Sequence, residues 1–149
     1  MTVLVDTGVL YAEHDTDAPR HEVASDALEA VYDGRLGRSY ISDYIYDEAV
    51  TLTLKRGQSH GAAKRLGERL RGAGAYPNVY EPVHISQLLF PDAVDVFERY
   101  DDQQLSVTDA TTVAFAETND IDTVLSFDDD FDGLTDRTDP AAVAGEHNP

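Results

Sequence analysis

The chain of 149 residues carries 29 acidic residues against 11 lysines and arginines, a formal net charge of −18. That length suits one domain around one core, and the absence of cysteine excludes disulfides, thiolate metal sites and cysteine nucleophiles together. No apolar run reaches the roughly 18 residues of a membrane span, and the strand-like start Met1-Thr2-Val3-Leu4-Val5 lacks the basic segment of a secretion signal, so a soluble, cytoplasmic protein is expected.

Thr2 to Val5 is a short apolar run without helical spacing and predicts a buried strand. Asp6-Thr7 follows directly, and either residue can cap a short helix there. Beyond a polar loop from His14 to Arg20, His21 to Tyr32 reads as a helix with Val23, Ala27, Leu28 and Val31 on one face, ended by Asp33-Gly34. Ser39 to Ile41 predicts a second strand. Ser42 or Asp43 then caps a helix that runs to about Arg56 and stops at Gly57. Ser59 opens another helix to Arg71, followed by a Gly72-Ala73-Gly74 turn.

Asn78 to Val83 predicts an edge or short strand, because Pro77 and Pro82 cannot donate to a ladder. Ile85 to Tyr100 reads as a helix with Leu88, Leu89, Val96 and Phe97 as its apolar positions and Pro91 as a kink or break. Asp109 to Thr118 is apolar almost all round and predicts a buried helix. Thr123 to Phe127 predicts a strand. The expected fold is a single domain over residues 1–139, a three-layer α/β/α sandwich around a mostly parallel sheet, with a flexible tail over 140–149.

Four carboxylates occupy telling places in this pattern. Asp6 and Asp128 each follow an apolar strand run, Asp109 opens a helical segment, and Glu48 lies inside one. In α/β chains the carboxyl ends of the strands and the helix starts beside them line one crevice, where ligands bind. Carboxylates gathered there repel one another and stay ionised only with cations among them. Without cysteine or clustered histidine the donors are hard oxygens, which favour Mg²⁺ or Mn²⁺ over zinc.

Each of these residues also has a structural reading. Asp6-Thr7 can be a helix cap. Ser106-Val107-Thr108-Asp109 is a capping-box pattern, compatible with a second role for Asp109. Ser126-Phe127-Asp128-Asp129-Asp130-Phe131-Asp132 can be a solvated loop, and it lacks the spacing of a calcium-binding EF-hand loop. For Glu48 a helical wheel is informative. With Ile45 at zero and ~100° per residue, Glu48 falls on the core-facing side with Ala49 and Leu52, whereas Asp47 falls near Thr51. An unpaired carboxylate is costly at the first place and harmless at the second. Gly57-Gln58-Ser59-His60-Gly61 matches the nucleophile elbow in letters, but a helical pattern precedes it where that elbow needs a strand.

Charge is unevenly spread. Lys55, Arg56, Lys64, Arg65, Arg69 and Arg71 form a basic stretch in an acidic chain, readable as a track for a phosphate backbone or as a solvated helix face.

Taken together, Asp6-Thr7, Glu48, Leu105-Ser106-Val107-Thr108-Asp109-Ala110 and Val124-Leu125-Ser126-Phe127-Asp128-Asp129-Asp130-Phe131 resemble the PIN-domain ribonucleases, in particular the toxin halves of VapBC-type toxin–antitoxin modules. The resemblance extends from Val3 to about Phe131. It implies that Asp6, Glu48, Asp109 and Asp128 bind Mg²⁺ or Mn²⁺ and catalyse hydrolysis of RNA phosphodiesters, with the hydroxyls of Thr7 and Ser126 in support. It also implies a homodimer and a cognate antitoxin partner. The last motif is more crowded than the family's, which leaves Asp130 able to replace or assist Asp128 as a metal ligand. If that loop stays extended, side chains alternate, so Asp129 points away and Asp130 returns to the side of Asp128.

Rival readings lack pieces. A phosphate-receiver signalling module needs a late lysine, and none follows Lys64; a dehalogenase-like phosphatase needs an Asp where Gly8 stands. A PIN-like binding module whose carboxylates are only surface remains an alternative to an active nuclease.

Twenty aspartates and two lysines point to adaptation to a salty interior, since at molar salt the screening length contracts to roughly 3 Å and self-repulsion fades. The expected outcome is a melting temperature that climbs between dilute buffer and molar NaCl, followed by circular dichroism; an unchanged value would contradict this.

Overall fold

The computed structural model describes residues 1–56 and 59–147. Among them, five strands form one sheet: β1 (Thr2–Val5), β2 (Arg38–Ser42), β3 (Glu81–Val83), β4 (Thr123–Leu125) and β5 (Arg137–Thr138). All four pairings are parallel and the order is β3-β2-β1-β4-β5. Seven helices join or flank them: α1 (Thr7–His14), α2 (His21–Tyr32), α3 (Asp43–Lys55), α4 (His60–Arg71), α5 (Phe90–Arg99), α6 (Val107–Thr118) and α7 (Pro140–His147).

The centre of the sheet follows from its residues. Val3, Leu4 and Val5 are each fully buried, as are Val124 and Leu125. Successive residues of a strand face opposite sides, so burial of every one requires helices on both faces of the sheet. That is why these runs read as continuous rather than alternating apolar stretches. The register sets Leu4 beside Tyr40 on one side and Val124 on the other.

Strand order locates the site. From β1 the chain moves outward through β2 to β3, then returns across the sheet to β4 and β5 on the far side of β1. The order therefore reverses between β1 and β4, and the crevice outside their carboxyl ends is the switch point where open α/β sheets bind ligands. A phosphate-receiver sheet has β1 between β2 and β3 instead, so this topology removes the receiver reading.

Helix starts follow local chemistry. Ser42, Ser59 and Ser106 each accept a hydrogen bond from the backbone three residues on, at 3.1, 3.0 and 3.0 Å, and cap α3, α4 and α6. Helix α4 ends at Gly72, whose φ of +65° and approach to the Asn78 backbone leave no room for a Cβ. Thr51 donates to Asp47 on the exposed side of α3, as its helical wheel requires. Gly57 and Gln58, which the sequence reading made a helix stop and half of the elbow-like motif, lie outside the described residues. Ser59 serves as the cap of α4.

Several expected elements differ. The segment from Ile85 is not helical until Phe90, because Pro91 sits at the first turn, where its ring and missing N–H permit a helix to start but not to continue through it. Leu88 consequently lies outside the helix and is 88% exposed, while Leu89, Ala93 and Val96 are buried. The strand expected from Asn78 shrinks to Glu81–Val83. Strand β5 and helix α7 were not anticipated. The expected flexible tail is instead helical from Pro140 to His147 and packs against α2, burying Val143 and Ala144.

Docking of α7 is testable. Val143→Ala removes buried methyl groups and is expected to lower unfolding stability by about 1–2 kcal/mol. Urea denaturation measures this, and a neutral effect would mean that the segment is not packed.

Candidate active site

Asp6 is the residue immediately after β1, with its N–H bonded to the Leu125 carbonyl of β4 at 3.0 Å. It holds the cap position of α1, yet its side chain makes no capping hydrogen bond. The carboxylate is buried instead. Its Oδ2 accepts from the Ser126 hydroxyl at 2.7 Å, and its Oδ1 has no hydrogen-bond partner. The neighbouring Thr7 hydroxyl is also buried and unpartnered. Orphaned buried polar atoms are costly, and two at one spot mark where a ligand belongs.

Ser126, fully buried, links two strands' ends. Besides donating to Asp6, its oxygen accepts from the Asp128 N–H at 3.0 Å. Asp128 Oδ1 in turn accepts from the Asp130 N–H at 2.9 Å and caps a 3-10 turn over Asp129–Phe131. Arg137 on β5 braces this loop, donating to the Ser126 carbonyl at 3.0 Å and to both Asp132 oxygens at 2.8 and 3.2 Å.

Asp109 completes a capping box on α6: Ser106 Oγ accepts the Asp109 N–H, and Asp109 Oδ2 accepts the Ser106 N–H, each at 3.0 Å. Glu48 stands half-buried one turn before Leu52 on α3. Asp6, Thr7, Glu48, Asp109, Ser126 and Asp128 all line one open cleft of about 630 Å³, together with Gly8, Arg20, Leu52, Ser106, Phe127 and Asp129.

The 3-10 turn revises the reading of the crowded loop. Alternation requires an extended chain, and a turn abolishes it. Asp129 lines the cleft, whereas Asp130, the residue expected to assist Asp128, does not. Carboxylate oxygens of Asp128, Asp129 and Asp130 nonetheless lie within 4.8 Å of one another, and the charge of Asp128 pushes the Asp130 carboxyl up from its ordinary range.

Crowding shows in the protonation of the cleft. Burial pushes the Asp6 carboxyl up to about 7; the Ser126 hydrogen bond opposes this, while the charges of Asp109 and Glu48 add to it. Burial likewise raises Asp109, with Asp128 and Glu48 contributing. A divalent cation reverses that balance by favouring the ionised forms. The donors fit one. Asp6, Asp109 and Asp128 each have one oxygen tied by a hydrogen bond, and Oδ1 of Asp6 has no partner among the described residues.

The basic stretch does not form one track. Arg69 pairs with Glu13 at 3.4 Å, Arg71 donates to the Tyr46 hydroxyl at 3.1 Å, and Lys64 reaches Glu68 at 4.0 Å. Lys55, Arg56 and Arg65 are exposed, and Arg56 stacks 5.3 Å from the Tyr11 ring centroid. None of the six lines the cleft. The cation that does is Arg20, which the sequence reading left in a polar loop and which no local pattern signals.

The chain belongs to the PIN domain family, whose model matches residues 3–136. Among solved structures it is similar to VapC20 of Mycobacterium tuberculosis, a toxin that cleaves the sarcin–ricin loop. Identity is 24% and the TM-score 0.72, over 87% of this chain and 92% of that one. It is also similar to a toxin–antitoxin complex from Klebsiella pneumoniae (21% identity, TM-score 0.62) and to FitAcB of Neisseria gonorrhoeae (15% identity, TM-score 0.66), each over 93% of this chain and 97% of the other. No curated protein sequence matches significantly.

Asp6 gives a pH test. Its folded-state pKa of about 7 lies above the ordinary value of 3.8, so unfolding releases a proton between those values. Without metal, that contribution to stability is whole below about pH 4 and is lost as pH rises towards about 7. Asp6→Asn removes the loss and is expected to stabilise the metal-free protein near pH 8 by on the order of 2–4 kcal/mol relative to wild type, with little gain near pH 4. Urea unfolding in chelator at both pH values measures it.

Proposed function

We propose that this protein is a metal-dependent endoribonuclease and the toxin of a toxin–antitoxin pair. The observation that carries the reading is the set of half-tied carboxylates around Asp6. Ser126, the Ser106 N–H and the Asp130 N–H each fix one oxygen of Asp6, Asp109 and Asp128 respectively, and Oδ1 of Asp6 is left buried without a partner. A carboxylate held this way presents its free oxygen in a fixed direction, which a hard divalent site needs and a solvated acidic surface does not.

Asp6, Glu48, Asp109 and Asp128 are the residues proposed to hold Mg²⁺ or Mn²⁺, with Asp129 or Asp130 as a further carboxylate and Thr7 in support. When bound, the metal supplies a Lewis acid that acidifies water and offsets charge on a scissile phosphate. The protein's part is to hold these oxygens still. Ser126 orients Asp6 and the Asp128 backbone with one hydroxyl, and Arg137 keeps the loop behind them closed. Membership of the PIN family supports nuclease chemistry, and the resemblance of the fold to VapC20 and to toxin–antitoxin complexes supports RNA as substrate and an antitoxin as partner. A homodimer is part of the same reading.

The test is cleavage of RNA in high salt with Mg²⁺ or Mn²⁺. Asp6→Asn is expected to lower the rate at least a hundredfold while the protein stays folded, and Mn²⁺ titration calorimetry should show its affinity falling in parallel. Among the loop variants Asp128→Asn is expected to cost most, then Asp129→Asn, then Asp130→Asn. Undiminished cleavage in excess chelator would overturn metal dependence, and a folded protein that binds Mn²⁺ but cleaves no RNA would leave a binding module.

A further inference from the structure

The cleft wall holds five carboxylates, Asp6, Glu48, Asp109, Asp128 and Asp129, and a single cation, Arg20. A polyanion entering such a cleft on a protein of net charge −18 meets strong repulsion that bound metal only partly offsets. Arg20 sits just before α2 and is exposed. Its guanidinium carbon lies 4.7 Å from the centroid of the Phe127 ring, and Phe127 stands between Ser126 and Asp128 in the loop after β4. The aromatic face fixes the guanidinium relative to the carboxylates without using its N–H donors.

Those donors are unspent. Among the described residues the Arg20 guanidinium makes no ion pair and no hydrogen bond, although acidic side chains crowd the surface. Four of the other eight arginines are in ion pairs: Arg35 with Asp33, Arg38 with Glu81, Arg69 with Glu13 and Arg137 with Asp132. An oriented, unpaired guanidinium at the mouth of an acidic cleft is suited to bidentate binding of a phosphate diester.

We propose that Arg20, seated on Phe127, is the phosphate anchor that holds an RNA strand across the acidic cleft, next to the bond to be cleaved rather than at it. This inference rests on the ribonuclease reading of that cleft. It makes Arg20 a substrate-binding residue, and it moves the RNA contact from the basic stretch of α3 and α4 to the start of α2.

The experiment compares wild type, Arg20→Ala, Arg20→Lys and Phe127→Leu on a fluorogenic single-stranded RNA with Mn²⁺ over a salt series. Arg20→Ala is expected to raise KM about tenfold with kcat changed less than about twofold, the mark of lost uniform binding. It should also flatten the dependence of log binding constant on log salt by about 0.7, the share of one single-strand phosphate contact. Arg20→Lys should restore the salt slope but only part of KM, since a point charge replaces the fork, and Phe127→Leu should fall between wild type and Arg20→Ala. Mn²⁺ affinity should be unchanged in Arg20→Ala, and Arg35→Ala, a paired surface arginine, should match wild type throughout. An unaltered KM and salt slope in Arg20→Ala would overturn the inference while leaving the nuclease reading intact; so would a loss confined to kcat with weakened Mn²⁺ binding. If wild type cleaves no RNA, the nuclease reading fails, and fluorescence anisotropy of the same RNA still decides on Arg20. Binding whose salt slope flattens by about 0.7 in Arg20→Ala supports the anchor; an unchanged slope, or no binding by wild type, overturns it.

Discussion

The cleft is organised around one uncomfortable carboxylate. Pairing of β1 with β4 delivers Asp6 to a point where water cannot reach Oδ1 and where Ser126 satisfies only Oδ2. Everything around it either tolerates that charge or exploits it. The surrounding apolar residues make the desolvation, Asp109 and Glu48 worsen it, and a cation would relieve it. A stable metal-free core would not choose this arrangement, which is the physical sense in which a functional site costs stability.

Much of the fold was legible because its signals are periodic. Continuous apolar runs gave the central strands, and serine caps marked the starts of α3, α4 and α6. The failures lie where no period can exist. Two residues, Arg137 and Thr138, are too few to carry a strand pattern, and they pair only because β4 offers an edge. The run from Pro140, small and interrupted by Gly145, looks like a tail until α2 supplies a partner for Val143. The sequence leaves Pro91 as a kink or break within a helix from Ile85, whereas in the structure the helix starts there, with Leu89 and Ala93 buried.

The site was legible in a different way. Asp6 occupies the cap position of α1 and Asp109 the reciprocal position of a capping box, and sequence alone cannot say whether either makes its capping bond. In the structure they part: Asp6 holds the position without the bond, and Asp109 makes the bond and still faces the cleft. The helical wheel separated Glu48 from Asp47 because burial follows geometry there. Positive charge was harder to place, since none of the six basic residues between Lys55 and Arg71 lines the cleft. Arg20 was invisible because its significance comes from Phe127, more than a hundred positions away.

The hydrogen bond from Ser126 to Asp6 spans 120 positions. Strands that pair over such separations form late in folding. A chain growing from its amino end therefore carries Asp6 and Glu48 as unrelated acidic side chains until Asp109 and then β4 have followed. Only when β4 is made can it insert beside β1 and draw them together. For a protein proposed to cleave RNA, the topology makes the site a late assembly: its carboxylates come together only after β4 has been made.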